Sequence, residues 1–248
     1  RDSTPTIDEF VVDLKDEEQF IIEKLTRGTP KALDIVFIAG MPGLGKTTLA
    51  MKVYNSKSVM YCFHQRAWCT VSQAYEQRRL LIEILKGVHG PTDEIHQMTD
   101  DALEEKLRKA LLRNKYLIVM DDVWDAGAVN DLKKAFPNDS NGSRILLTSR
   151  HRSVALEIEP DSVPHSLRQF SEEESWELLE KKVFKGESYT KELLAVGKEI
   201  ARRCHGLPLA LVAVAGLLKA PVKNPKSWKK LADTLSSEVF DNPAAREA

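Results

Sequence analysis

Gly40-Met41-Pro42-Gly43-Leu44-Gly45-Lys46-Thr47-Thr48 decides the fold of this chain. From Gly40 to Thr47 it follows the phosphate-loop spacing G-x-x-x-x-G-K-[ST]. The flanking residues supply the context that the pattern needs. Asp34-Ile35-Val36-Phe37-Ile38-Ala39 reads as a buried strand, and Leu49-Ala50-Met51-Lys52-Val53-Tyr54 continues as a helix. Glycines in such a turn let backbone N–H groups face phosphate oxygens with no side chain in the way, and the helix N-terminus adds partial positive charge. Lys46 is placed to reach the β- and γ-phosphates, and the Thr47 hydroxyl to hold Mg²⁺. An ordinary Gly/Pro turn before a helix would match this spacing only rarely by chance.

The wider composition narrows the setting. The 248 residues are 42% apolar and 29% charged, which suits a globular chain of one large or two smaller domains. A net charge of −1 supplies no global field for nucleic acid or an anionic membrane, so no nucleic-acid partner is expected. Cys62, Cys69 and Cys204 have no metal-ligand spacing. An odd, sparse set of this kind suits buried thiols in a reducing compartment, hence a cytoplasmic protein. No apolar run is long enough to span a bilayer, and Arg1-Asp2-Ser3-Thr4-Pro5-Thr6 lacks the apolar core of a signal peptide. That opening reads as a linker or an excised start entering a domain.

Short apolar runs alternate with helical patterns as far as about residue 168, which predicts an α/β domain with a parallel five-stranded sheet and flanking helices. The strand candidates are Ile35–Ala39, Arg66–Val71, Tyr116–Met120, Arg144–Thr148 and Pro164–Leu167. Helices are expected over Leu80–Val88, Ala102–Leu112 (after a Thr99 cap) and Ala128–Phe136. Beyond residue 168 the pattern turns wholly helical. Ser171-Glu172-Glu173-Glu174 is a capping box, Glu192–Cys204 is a second helix that Gly206 can end, and Pro208 can start a third. Leu209, Val212, Ala213, Gly216 and Leu217 are expected to form the packing face of that third helix. Asn224-Pro225 can open a fourth, through Trp228, Leu231 and Leu235. The predicted division is a nucleotide-binding α/β domain over 1–168, a small helical bundle over 169–236, and a truncated linker or tail over 237–248.

Two further strand ends carry chemistry. Tyr116-Leu117-Ile118-Val119-Met120 runs into Asp121-Asp122. Beside a phosphate loop, Asp121 is expected to hold Mg²⁺, directly or through water, and Asp122 to orient or deprotonate an attacking water. Without the loop, the pair would read as a solvated turn after a core strand. Arg150 is the polar tip of the stretch Gly142–Arg150, which carries the strand candidate Arg144–Thr148. It fits either a γ-phosphate contact, telling three phosphates from two, or an exposed arginine at a strand tip. Cys204-His205-Gly206-Leu207-Pro208-Leu209-Ala210 is by default a tight interhelical turn, with His205 a solvated turn residue. The four tryptophans read as core or interface anchors.

Taken together, these segments resemble the nucleotide-binding NB-ARC domain of plant NLR disease-resistance proteins, a STAND-type P-loop NTPase. Gly40–Thr48 resembles the family's phosphate loop, Phe63–Gln73 its first resistance motif, Tyr116–Trp124 its hydrophobic run ending in D-D-V-W, and Gly142–Arg150 its G-S-[RK]-I-[LI]-[LV]-T-[ST]-R. His165–Leu167 with Ser171–Phe184 resembles the L-x-x-L-S…W-x-L block, and Gly206–Ala210 is G-L-P-L-A. Trp68 and the Trp after D-D-V resemble the coiled-coil class, and the texture is similar to solanaceous helper receptors required for cell death.

The resemblance implies an ARC1-like character for the helical bundle and an ADP/ATP switch that works with Mg²⁺. By it, Gly43, Leu44, Gly45, Lys46, Thr47 and Thr48 bind phosphates. Thr47 and Asp121 hold the metal, Asp122 acts in hydrolysis, Arg150 senses the γ-phosphate and Pro208 reaches the adenine. Phe10-Val11-Val12 resembles the entry segment that packs on the base, with Asp13 where the family usually has glycine. It further implies ADP at rest, exchange to ATP on activation of defence and hypersensitive cell death, and at most weak ATPase activity. The alternative is a continuously turning-over ATPase. No Met-His-Asp triplet is present, so the winged-helix subdomain that carries it is expected to be absent or truncated. That subdomain, the coiled-coil and leucine-rich-repeat regions and other NLR proteins are the partners the resemblance implies. The fragment itself is expected to be monomeric.

Overall fold

The computed structural model describes residues 14–27, 32–218 and 224–235. In chain order the elements are α1 (Lys15–Thr26), β1 (Asp34–Ala39), α2 (Lys46–Tyr54), α3 (Lys57–Cys62), β2 (Gln65–Thr70), α4 (Gln77–His89), α5 (Glu94–Gln97), α6 (Asp100–Leu111), β3 (Tyr116–Val123), α7 (Gly127–Leu132), β4 (Arg144–Ser149), α8 (Arg152–Ile158) and β5 (His165–Ser166). A 3₁₀ turn over Lys133–Ala135 follows α7. Four helices complete the described chain: α9 (Glu172–Phe184), α10 (Lys191–Arg203), α11 (Pro208–Leu218) and α12 (Pro225–Leu235).

The five strands form the expected parallel sheet, in the order β2-β3-β4-β1-β5. Near-continuous burial explains why β1, β3 and β4 are apolar runs rather than alternating ones: a parallel sheet covered on both faces leaves no side for polar residues. Their C-terminal ends lie side by side, which is where an open α/β sheet presents its site. Helix α6 behaves as its period predicts. Leu103, Leu107 and Leu111 are buried, and the Thr99 hydroxyl accepts from the Ala102 N–H. Gly87 lets α4 lie directly on β2, since a Cβ there would stand 2.7 Å from Ala67 Cβ.

Where the sequence expected one helix over Ala128–Phe136, the chain forms α7 and then tightens into the 3₁₀ turn, with Phe136 already extended. Helices α1, α3, α5 and α8 had no counterpart in the sequence reading. Of the three thiols expected to be buried, Cys69 and Cys204 are, but Cys62 is only partly covered and lies 3.1 Å from Lys115 Nζ.

By contact density the chain divides into two compact units. Leu14–Gly40 and Lys46–Leu167 form one. Met41–Gly45 and the described residues from Arg168 onward form the other. In the second unit the capping box is present: Ser171 Oγ accepts from the Glu174 N–H, and Glu174 accepts from the Ser171 N–H at 2.7 Å. An aromatic cluster of Trp176, Phe184, Tyr189 and Trp228 forms its core, with Phe184 4.4 Å from Tyr189 and 5.6 Å from Trp228 between ring centroids. Gly206 turns the chain between α10 and α11 at φ +67°, and a Cβ there would meet Phe170 O at 2.4 Å. The Asn224 side chain caps α12 through the Lys226 N–H.

One face was misassigned. Helix α11 buries Pro208, Leu211, Val214, Ala215 and Leu218, while Leu209 and Leu217 are 63% and 65% exposed. The helix is apolar almost all round, so its sequence has a period but no phase, and only tertiary packing selects the inward side.

Candidate functional site

The residues singled out in the α/β unit converge at the tips of β1, β3 and β4. Helix α2 begins at Lys46, so that its first turn presents Lys46, Thr47 and Thr48 directly after the glycine loop. Lys46 is 7% exposed and its ammonium donates to Gly40 O at 2.7 Å. Burial lowers its pKa from the ordinary lysine value, while the Asp122 and Asp121 carboxylates act against that shift. The lysine is thus a desolvated cation held next to two anions, ready to meet a further anion without first shedding water.

Asp121 lies at the end of β3 and is 5% exposed. Thr47 Oγ1 stands 2.9 Å from both of its carboxylate oxygens, and Thr148 Oγ1 donates to Oδ1 at 2.6 Å. Burial pushes its pKa up, and the two hydroxyl bonds and Lys46 oppose that rise. A buried carboxylate beside a threonine hydroxyl is a hard oxygen set, which suits Mg²⁺ better than any softer metal. Among the described residues there is no cluster of three or more His, Cys, Asp or Glu able to hold an ion by themselves. A cation here would therefore complete its shell with water or phosphate oxygen, as Mg²⁺ does.

Asp122 takes a left-handed backbone, φ +56°. Its carboxylate accepts from Arg150 Nε at 3.2 Å and Nη2 at 3.3 Å. The guanidinium also lies 4.2 Å from the centroid of the Trp124 ring. Arg150 and Asp122, which the sequence treated as separate candidates, are thus one pair, steadied by an aromatic face.

In the second unit, Gly43 and Gly45 adopt φ +83° and +92°, values that a side chain would strain, and Leu44 is buried. The Leu209 N–H, in the first turn of α11, donates to Gly43 O at 3.2 Å. Pro208 is buried at the start of that helix. Phe10, Val11 and Val12 lie outside the described residues. Sequence reasoning gave no role to Thr148, the partner of both aspartates. Its one signal is a hydroxyl residue near the end of an otherwise apolar strand.

With this geometry in view, comparisons with known proteins converge. A family model described as the NB-ARC domain matches residues 14–189. A late blight resistance protein homologue of Solanum demissum, R1B-14, is 43% identical over 244 residues, covering 98% of this chain and 18% of that protein. The chain therefore spans about a fifth of the length of such relatives. Among solved structures, the Aeropyrum pernix ORC2 protein in its ADP form aligns with a TM-score of 0.64 at 15% identity, over 97% of this chain and 73% of that one. A signal-transduction ATPase with numerous domains from Pyrococcus horikoshii, which carries a tetratricopeptide repeat sensor, aligns with a TM-score of 0.52 at 18% identity, over 94% and 33%. At such identities the structural likeness speaks for the fold alone.

Proposed function

This chain belongs to the NB-ARC domain family, and from that premise we propose that it is the ADP/ATP-binding switch of a cytoplasmic plant immune receptor. The observation that carries the reading is the convergence of Lys46, Thr47, Asp121, Asp122 and Arg150 on adjoining strand and helix ends of one unit. Lys46 exchanges its bond to Gly40 O for phosphate oxygen. Thr47 and Asp121 hold Mg²⁺, which when bound offsets the charge of the phosphates. Arg150 distinguishes the nucleotides. It stays on Asp122 when only two phosphates are present and turns to the third when ATP enters, leaving Asp122 able to orient water.

A ligand shifts such an equilibrium only by binding two arrangements unequally. ADP holds the resting one. ATP favours the one that engages the receptor's other regions and other NLR proteins, and so starts defence and hypersensitive cell death. The family resemblance gives the base contacts to Pro208 and to Phe10–Val12, the latter outside the described residues. Hydrolysis, where it occurs, resets the switch.

The test is the nucleotide released when the purified protein is denatured. Stoichiometric ADP is expected. A folded protein that releases no nucleotide and binds none when it is added overturns the proposal, and steady phosphate release from ATP would make the chain a turnover ATPase instead.

A further inference from the structure

We propose that Thr148 is the positioning residue that turns one strand end into a two-carboxylate site; the inference rests on the nucleotide-binding reading above. The pairing of β3 with β4 runs regularly from Leu117↔Arg144 to Met120↔Leu147 and resumes at Val123↔Ser149. Asp121 and Asp122 therefore stand opposite a single residue, Thr148. Two residues facing one is a β-bulge. In an unbroken strand, consecutive side chains point to opposite faces, so one of the two aspartates would be carried away from the phosphate loop. With the bulge, and with Asp122 left-handed at φ +56°, Asp121 meets Thr47 of α2 at 2.9 Å and Asp122 meets Arg150 at the end of β4 at 3.2 Å.

A bulge removes a ladder bond, and the half-buried N–H it strands needs another acceptor. Thr148 Oγ1 provides it, accepting from the Asp122 N–H at 2.9 Å. The same oxygen donates its proton to Asp121 Oδ1 at 2.6 Å. A hydroxyl has one proton and two lone pairs, so the two bonds are compatible and together fix its direction. Thr148 is 0% exposed, and its β-branched side chain has few rotamers to choose from. On the next residue Ser149 Oγ donates to Val123 O at 2.8 Å, repairing the far side of the same irregularity. The polar end of an apolar strand thus has a use: Thr148 stabilises the bulge and holds Asp121 Oδ1, while Thr47 Oγ1 stands 2.9 Å from both Asp121 oxygens.

The experiment is a calorimetric ADP titration of the whole chain, stripped of nucleotide, with Mg²⁺ and then with EDTA. The parent is compared with Thr148→Val and Thr148→Ser. Valine keeps the shape and removes both bonds, whereas serine keeps them. The gain in ADP affinity that Mg²⁺ gives should fall at least about tenfold in Thr148→Val and stay within about threefold of the parent in Thr148→Ser. Affinity in EDTA should change little in either, a separation that a merely structural role would not produce. If circular dichroism shows that the valine variant does not fold, Thr148→Cys, of similar volume and a weak donor, replaces it with the same expectation. An undiminished Mg²⁺ gain in the valine or cysteine variant overturns the proposal and leaves the nucleotide reading intact. A parent that binds no ADP overturns both.

Discussion

At the scale of single residues, Arg150 has the most at stake. Its side chain is 28% exposed, bonded to Asp122 through two nitrogens and set against Trp124. If it answers to the γ-phosphate, Arg150→Ala should weaken ATP binding about ten- to a hundredfold, the worth of a charge-assisted bond of roughly 1.5–3 kcal/mol, and spare ADP. Competitive titration of both nucleotides checks this; equal losses would make the residue a support for Asp122 only. The sequence brought Arg150 and Asp122 forward separately because each ends an apolar run. Their pairing was not legible, since it depends on β3 and β4 being neighbours. Thr148 was missed for a related reason. A bulge has no composition, and a threonine inside I-L-L-T-S reads as an ordinary strand residue.

At the scale of elements, the helical unit depends on close approaches that a substitution can test. Gly197 lies where a Cβ would come within 2.4 Å of Trp176 Cζ3 and 3.3 Å of Trp228 Cζ3. Alanine raises intrinsic helix propensity by about 1 kcal/mol. Forcing it into a packed core costs typically about 1–3 kcal/mol. Both rings are large and buried, so the cost should win, and Gly197→Ala should lower the urea midpoint.

The α9 cap gives a pH signature. Arg168, bonded to Glu174 at 2.7 Å through each of two nitrogens, holds its pKa down to about 2, with the Ser171 N–H contributing. Because the folded value is depressed, this stabilisation is complete above the ordinary carboxylate value near 4.5 and is lost as pH falls towards 2. Thermal melts between pH 5 and 2 should therefore decline more steeply for the parent than for Glu174→Gln, which has no such titration to lose. Ser171-x-x-Glu174 was readable in advance because a cap is local. The inward side of α11 was not, because Leu209 and Leu211 are equally apolar and only their surroundings differ.

At the scale of the whole molecule, the charge is close to balanced, and the reading of a switch within a larger receptor places the assembling surfaces elsewhere. This 248-residue chain should run as a monomer with ADP and with a non-hydrolysable ATP analogue, as measured by light scattering on a sizing column. An oligomer that forms only with the analogue would show that these two units suffice for assembly. The sheet order was beyond the sequence, which marked five strands but not their neighbours.

That order has a consequence for the birth of the protein. Among the described residues, strand β1, which leads into the glycine loop, pairs along its full length only with β4, Asp34 opposite Arg144, and briefly with β5 at Ile38 and Ala39. On a ribosome, β1 leaves the exit tunnel early and waits while the intervening hundred or so residues are translated, because its long-range pairing cannot form before both strands exist. A nascent chain halted before Ser149 clears the tunnel should then retain no ADP, and one halted well beyond Leu167 should be the first to do so.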